Sequence, residues 1–523
     1  MIIVLFNKPE FEYDVHSLIK AFYPKEEVQM YYTSAEADNS KENLACAHHE
    51  AGPALDEKIA AAAYLLSVTY PDTKEEPEGT IALSWKNRET GTEIEKQAEG
   101  DFRERAAAKN QLKQALYELL AQASGQTLPW GTLTGIRPTK IPMKLLEEGR
   151  SEEEIADYMR QTYFASEEKI ALAIEIAKRE RKLLEKIDYE NGYSLYIGIP
   201  FCPSTCLYCS FTSYPLSAWR KQVDAYLDAL EKEIDFTAQR FYHKKLNSIY
   251  IGGGTPTTLE PYQLDRLIRK IKCSFDLSDC VEFTVEAGRP DSITKEKLQV
   301  LRKNGISRIS VNPQTMKQET LDLIGRHHTV EQTIESFKLA RELGFDNINM
   351  DLILGLPGED LSDVEHTMKE IEKLSPDNLT VHSLALKRAA RLNIEREAYA
   401  GYQMVNTQEH MDIAASYAKK MGLLPYYLYR QKSMAGNLEN VGYALPGKAG
   451  VYNILIMEEK QTIMALGAGA TTKFVRYLPK EGTGEKVFEA VRVENVKDVA
   501  NYLERVDEMI ERKRKKMEEL SWH

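Results

Sequence analysis

From Ser194 onward the chain alternates short apolar runs with longer helix-like stretches, and this rhythm limits the fold more than any other feature. The strand-like runs are Ser194–Ile199, Ser248–Ile251, Val281–Val285, Arg308–Val311, Asn347–Leu354 and Asn378–His382. Helical stretches lie between them at Trp219–Arg240, Pro261–Lys272, Lys295–Lys303, Thr329–Leu343 and Leu361–Leu374. A helix of that length carries the chain back to the end of the sheet where the preceding strand began, so the strands run parallel. Six such βα units suit a partial barrel better than a closed eight-fold one. In folds of this kind the functional site lies at the C-terminal ends of the strands.

The rest of the chain divides around this body. Its 523 residues exceed the roughly 100–200 expected of one domain. Residues 1–100 read as a small α/β domain, with a strand at Ile2–Phe6, helical spacing over Val15–Phe22 and alternation over Val28–Thr33. Ala60–Val68 and Thr80–Trp85 are further apolar segments, separated by a polar loop at 71–79. No catalytic motif falls there. Residues 101–190 read as a helical connecting region, from Ala106–Ala123 and Glu167–Ile187. Between those two lies LPWGTLTGIRPTKIP (128–142). This is a linking loop or, through Trp130, Arg137 and Lys140, part of an anion pocket. The barrel is expected over 191–425, with a small C-terminal domain over 426–523 covering its mouth. That last part holds GAGATT (467–472) and a charged helical stretch, 494–519, expected as a solvated face. The fold class is thus α/β: a partial, six-unit βα barrel with an N-terminal α/β plus helical extension and a C-terminal domain.

With 43% hydrophobic and 28% charged residues the chain can bury a sizeable core. A formal net charge of −12 argues against a nucleic-acid binder, which would carry a basic footprint. The apolar run after Met1 is too short for a signal-peptide core, and no stretch approaches the roughly 20 apolar residues of a membrane span. A cytoplasmic protein is expected.

Of six cysteines, three fall within YIGIPFCPSTCLYCSF (196–211). Cys202, Cys206 and Cys209 are spaced C-x3-C-x2-C in the loop after the first barrel strand. Thiolates favour zinc or iron–sulfur sites. A structural zinc site wants four ligands, and no fourth cysteine or histidine follows nearby. An iron–sulfur cluster on three cysteines leaves one iron open to a cofactor. Zinc or unconnected thiols are the alternatives. Cys46, Cys273 and Cys280 read as ordinary scattered cysteines. GGGTPT (252–257) follows the second strand. Three glycines remove side chains there, so backbone can approach a ligand and offer N–H donors.

The cysteine loop, with Tyr208 as its aromatic, resembles the signature of the radical S-adenosylmethionine (SAM) superfamily. YIGIPFC, GGGTPT, VEAGRPD (285–291), SVNPQ (310–314), LIGRHH (323–328), NMDLILGLPGE (349–359) and HSLAL (382–386) follow in order at strand ends. Together they resemble the oxygen-independent coproporphyrinogen III oxidase family over roughly 190–475. WGTLTGIRPTK and YRQKSMAGNLENVGYALPGKAGVYN (429–453) are similar to its HemZ-type subgroup. The resemblance implies a [4Fe-4S] cluster on Cys202, Cys206 and Cys209, with one or two molecules of SAM. It implies SAM contacts from Tyr196, Tyr208, Gly253, Gly254, Thr255, Glu286, Gln314, Arg326 and Asp351, and from the backbone of Ala385. His327 and His328 read as loop histidines.

The implied chemistry starts with an electron donor such as flavodoxin or ferredoxin, which reduces the cluster. SAM is then cleaved to methionine and a 5′-deoxyadenosyl radical. The radical takes hydrogen from a propionate β-carbon, and loss of CO2 and an electron leaves a vinyl group. No side chain is assigned as catalytic, since the radical arises from SAM at the cluster. Carboxylates of the tetrapyrrole need cations, for which Lys387, Arg388, Arg391, Arg430 and Lys432 are candidates. One departure stands out. The decarboxylating enzymes generally carry a further cysteine two residues past the third ligand, where this chain has Phe211. That pattern occurs in the related haem-chaperone branch, whose H-N-x-x-Y-W motif is absent from VYNILIM (451–457). Haem transfer without turnover, another radical reaction on a tetrapyrrole and RNA modification are the rival readings.

Overall fold

The computed structural model describes all residues except 33–52, 72–77, 136, 388, 400, 432–437, 480–485 and 521–523. Cys46, Arg388 and Lys432 therefore lie outside the described residues. The rest forms two compact units, Met1–Ile174 and Glu175–His523.

In the first unit β1 (Ile2–Phe6), β2 (Val28–Tyr32), β3 (Tyr64–Thr69), β4 (Glu78–Asn87) and β5 (Thr92–Asp101) pair in the order β2-β1-β3-β4-β5. Alternation in IIVLF sends Ile2, Val4 and Phe6 to one core and Ile3 to the other. The first core includes Val15, Leu18 and Ile19 of the helix Glu12–Phe22 and Leu112, Leu116 and Leu119 of the helix Arg105–Ser124. The latter helix shares the core of the sheet, so the boundary expected at residue 100 does not separate two cores. β5 was not expected, because TEIEKQAEGD has almost no apolar alternation. Its ladder to β4, from Asn87↔Thr92 to Glu78↔Asp101, fixes it instead.

The second unit is built on the expected strands, β6 (Tyr193–Ile199), β9 (Leu246–Gly253), β10 (Glu282–Gly288), β11 (Arg308–Val311), β12 (Ile348–Leu354) and β13 (Asn378–Ser383), all parallel. Two short strands, β7 (Phe201–Cys202) and β8 (Tyr214–Pro215), pair with each other across the cysteine loop. The C-terminal region extends this sheet at both edges. β14 (Leu424–Tyr429) and β15 (Asn440–Ala444) continue it beyond β13. β16 (Thr462–Leu466) adds a further parallel strand beside β6, followed by β17 (Thr471–Pro479) and β18 (Lys486–Glu494).

The barrel strands have two distinct faces, because successive side chains point to opposite sides. One face is apolar and buried: Leu195, Ile197, Ile249, Ile251, Val285, Ile309, Val311, Met350, Leu352, Leu379 and Val381. The other is polar. It carries Tyr196, Tyr250, Glu286, Arg308, Ser310, Asp351 and His382, and across strands Tyr250 meets Tyr196 and Glu286 while His382 approaches Asp351.

The helix Val499–Glu519 is less solvated than its charge suggested. Lys513 is fully buried, 2.5 Å from Glu233 Oε1 on the helix Val223–Phe241. The same carboxylate accepts from Gly467 N at 2.7 Å, Tyr502 Oη at 2.6 Å and Asn495 Nδ2 at 3.0 Å. A buried charge needs this many partners to persist. Among the described residues no helix is long and apolar enough to cross a membrane.

Candidate functional site

β6 ends at Ile199, and the chain then enters the cysteine loop at the C-terminal end of the sheet. Backbone bonds fix that loop from several sides. Tyr214 N donates to Pro200 O at 2.8 Å, Leu207 N to Ile324 O at 3.0 Å and Leu392 N to Leu207 O at 2.9 Å. Cys202 and Cys206 are buried and Cys209 is half-buried. Each sulfur has a polar neighbour. Thr255 Oγ1 lies 3.5 Å from Cys202 Sγ and Ser213 Oγ 3.9 Å from Cys209 Sγ. Arg289 Nη1 and Arg326 Nη1 lie 3.8 and 3.9 Å from Cys206 Sγ. Burial pushes the Cys202 thiol up to about 11, with the neighbouring thiols adding to the rise and Thr255 opposing it. Burial also raises Cys209. A bound metal reverses such shifts by supplying positive charge to the thiolates.

The glycine segment does a different job from the one expected. Gly254 N donates to Ile199 O at 2.8 Å and Thr255 N to Phe201 O at 2.7 Å. The Gly253 N–H serves Glu286. These donors are spent inside the protein, holding the cysteine loop against β9. The glycines are still required. A Cβ on Gly254 would sit 2.6 Å from Phe201 O and 3.0 Å from Cys202 Sγ, and Gly253 has φ +107°.

Glu286, at the end of β10, accepts the Tyr250 hydroxyl hydrogen in a short bond. Burial pushes its carboxyl up to about 7, helped by the Asp351 charge and opposed by Tyr250, Arg308 and the Gly253 amide. Tyr250, Tyr196 and Tyr452 form a cluster of nearly parallel rings: the Tyr250 centroid lies 6.3 Å from Tyr196 and 4.5 Å from Tyr452, and Tyr196 and Tyr452 are 6.3 Å apart. On β12, Asp351 accepts from Asn349 Nδ2 at 2.6 Å and lies 4.0 Å from His382 Nε2. His382 Nδ1 is 3.3 Å from the Tyr429 hydroxyl, and burial lowers its pKa against the pull of Asp351.

Gln314 is a buried non-glycine residue at φ +72° whose Oε1 has no partner. Its backbone is held there by Gln314 N to Asp351 O at 3.0 Å and Ile353 N to Gln314 O at 2.9 Å. Strain of this kind persists only where surrounding structure enforces it, and it concentrates at functional sites. Arg326 is buried, donating from Nη2 to Asn312 O at 2.5 Å and from Nη1 to the Tyr208 hydroxyl at 3.2 Å. Its Nε is unpartnered. Ala385 follows β13, half-buried. The residues thus fit a polar ligand beside the cysteine loop: donors face the sulfurs, and buried polar atoms await a partner.

The basic candidates divide. Lys387 is exposed, its Nζ 5.6 Å from the centroid of the Phe211 ring, itself 71% exposed. Arg391 is paired with Glu395 at 3.1 Å. Arg430 is buried, which lowers its pKa to about 10 against the opposing charge of Glu439. His327 is exposed. His328 is buried, with both ring nitrogens unpartnered and its pKa lowered to about 3 by burial and by Arg326. Sequence reasoning passed over Tyr250, Arg289, Arg308, His382 and Tyr452. The signal for all five was present, as polar or aromatic residues in phase along apolar strands or inside a quoted motif.

Residues 196–371 match the family model of the Radical SAM superfamily. The chain is 43% identical over 416 residues to the oxygen-independent coproporphyrinogen-III oxidase-like protein HemZ of Bacillus subtilis, covering 79% of this chain and 81% of that one. It is 42% identical over 198 residues to the heme chaperone HemW of the same organism, covering 37% of this chain and 51% of that one. It is 34% identical over 196 residues to the oxygen-independent coproporphyrinogen III oxidase of Escherichia coli, covering 38% and 42%. The solved coproporphyrinogen III oxidase (HemN) of Escherichia coli superposes with a TM-score of 0.49 at 24% identity, over 63% of this chain and 73% of that one.

Proposed function

Because the chain belongs to the radical SAM superfamily, in its oxygen-independent coproporphyrinogen III oxidase-like branch, we propose that it decarboxylates tetrapyrrole propionates to vinyl groups. The substrate in this reading is coproporphyrinogen III or a close relative. Proteins of this superfamily use a [4Fe-4S] cluster and SAM. The observation that carries the reading is the polar face of the strands together with the cysteine loop. Glu286 and Asp351 lie on that face, Arg326 reaches the Cys206 thiol, and Gln314 and Arg326 carry buried polar atoms that a ligand would satisfy.

When bound and reduced, the cluster and SAM supply a 5′-deoxyadenosyl radical. The protein's part is to bind, orient and exclude water. Cys202, Cys206 and Cys209 would hold the cluster. Arg326 would offer its free Nε to a carboxylate or hydroxyl, and Gln314 its amide. Glu286 and Asp351 would accept from amino or ribose groups. Lys387 is the candidate for a substrate carboxylate, since Arg391 already has a partner and Arg430 is buried. A small redox protein of the flavodoxin or ferredoxin class would deliver electrons.

A second reading, haem transfer without turnover, is favoured by exposed Phe211 in place of a cysteine and by the likeness to the chaperone HemW. Against it, VYNILIM has no histidine and forms part of the helix Val451–Glu458, whose Tyr452 is buried against Tyr250. Anaerobic reconstitution with SAM, dithionite and coproporphyrinogen III tests the two. 5′-Deoxyadenosine together with vinyl-bearing product supports decarboxylation. SAM cleavage with no vinyl product refutes it, and stable haem binding in the same protein supports transfer.

A further inference from the structure

Two guanidinium groups converge on one of the three thiols and on neither of the others. Cys202 and Cys209 meet hydroxyls, from Thr255 and Ser213. Cys206 meets Arg289 and Arg326. Arg326 also donates to the Tyr208 hydroxyl and to Asn312 O. Arg289 comes from the turn after β10 and is only 3% exposed. Its fork is fully engaged. Nε and Nη2 donate to Asp291 at 3.0 and 2.6 Å. Nη1 donates to Ser204 O and Oγ at 2.9 and 2.8 Å and lies 3.8 Å from Cys206 Sγ. Burial works against the Asp291 carboxylate, yet the Arg289 hydrogen bonds and charge hold its pKa below the ordinary value. Arg289 is thus a buried side chain beside one sulfur, and its counter-charge Asp291 stands at the surface, with 19% of its side chain exposed.

We infer that Arg289, balanced by Asp291, sets the reduction potential of the cluster through the Cys206 thiolate. The reduced cluster carries one more negative charge than the oxidised one. A nearby cation stabilises that extra charge, so it raises the potential. Asp291 acts in the opposite direction: its negative charge cancels part of the field of Arg289 at the sulfur. In a dry site such effects are large, because little water screens them. A simple staple of the loop through Ser204 would hold the backbone equally well, but it would give no reason for opposite effects from the two partners.

The inference rests on the superfamily's cluster and not on the choice of tetrapyrrole. The test is a redox titration of the reconstituted full chain, followed by EPR with and without SAM, in the wild type, Arg289→Gln and Asp291→Asn. Arg289→Gln should make reduction about tenfold less favourable, a fall of about 59 mV for a one-electron couple. Asp291→Asn, which leaves Arg289 in place with its charge uncompensated, should shift the midpoint upward. Unmoved midpoints in both variants at full cluster content overturn the inference. Should Arg289→Gln take up no cluster, Asp291→Asn decides alone: an upward shift supports it and none overturns it. A wild-type chain that assembles no cluster overturns the cofactor assignment as well, which is a separate and visible outcome.

Discussion

Replacing Glu286 with Gln should stabilise the cofactor-free protein above neutral pH and have no such effect in acid. In the unfolded chain this carboxyl has the ordinary value of 4.5, and burial raises it to about 7 in the folded chain. Between those values the folded chain keeps a proton that the unfolded chain gives up. The stability that the protonated carboxyl contributes is therefore complete below about pH 4.5 and lost as pH rises through about 7. A rise of this size corresponds to roughly 3 kcal/mol. The amide is neutral throughout, so Glu286→Gln avoids that loss. It can accept well from only one of Tyr250 and the Gly253 amide, which costs about 1 kcal/mol. A net gain of about 2 kcal/mol is expected near pH 8, turning to a small loss near pH 4.

Urea denaturation of cofactor-free wild type and Glu286→Gln at both pH values measures the difference. SAM binding provides the second readout, because an amide offers no charge to an ammonium group, and the variant should bind SAM more weakly. A stability gap that is the same at both pH values would refute the titration argument. So would a variant less stable than wild type near pH 8.

Gly254→Ala should abolish cluster uptake, read from visible absorbance, because its Cβ falls 2.6 Å from Phe201 O and 3.0 Å from Cys202 Sγ. The melting of the protein should change much less than its cluster content. Lys513→Met leaves Glu233 buried without its cation and should cost about 3–5 kcal/mol by thermal or urea unfolding. Adding Glu233→Gln to Lys513→Met should recover part of that loss, and no recovery would mean that packing rather than charge holds the C-terminal helix.

The barrel was legible because its alternation is strong. Each expected strand from Ser194 to His382 is present, within one or two residues for most, and parallel pairing follows from the length of the helices between them. The flanks were less legible for identifiable reasons. β5 turns only Ile94 and Ala98 toward the core, too few apolar residues to mark TEIEKQAEGD as a strand until β4 is beside it. β16 looks like any short apolar run. That it joins β6 depends on register partners more than 260 residues apart in the chain, such as Ile463 with Ser194. Lys513 sits in a run of charges that reads as solvated, and only the position of Glu233 on another helix buries it.

The polar face of the barrel could have been read more fully than it was. Tyr196, Tyr250, Glu286, Arg308, Asp351 and His382 interrupt apolar runs in phase, and a strand buried on both sides has no reason to carry them unless its inner face is meant to be polar. What sequence could not reveal is the unresolved cost of that arrangement. Gln314 is held at φ +72° by its bonds to β12, a geometry set by two strands together. Glu286 is forced toward neutrality by burial and by Asp351. Arg308 is 2% exposed with Nε and Nη2 unpartnered, and Arg326 has an unpartnered Nε. Each is unfavourable in the cofactor-free chain, and they occur in the same half of one barrel, behind an apolar layer well able to hold them in place. A polar, charged ligand at the strand ends would relieve the costs at Gln314, Glu286 and Arg326, which makes the instability of the free site part of the affinity of the filled one.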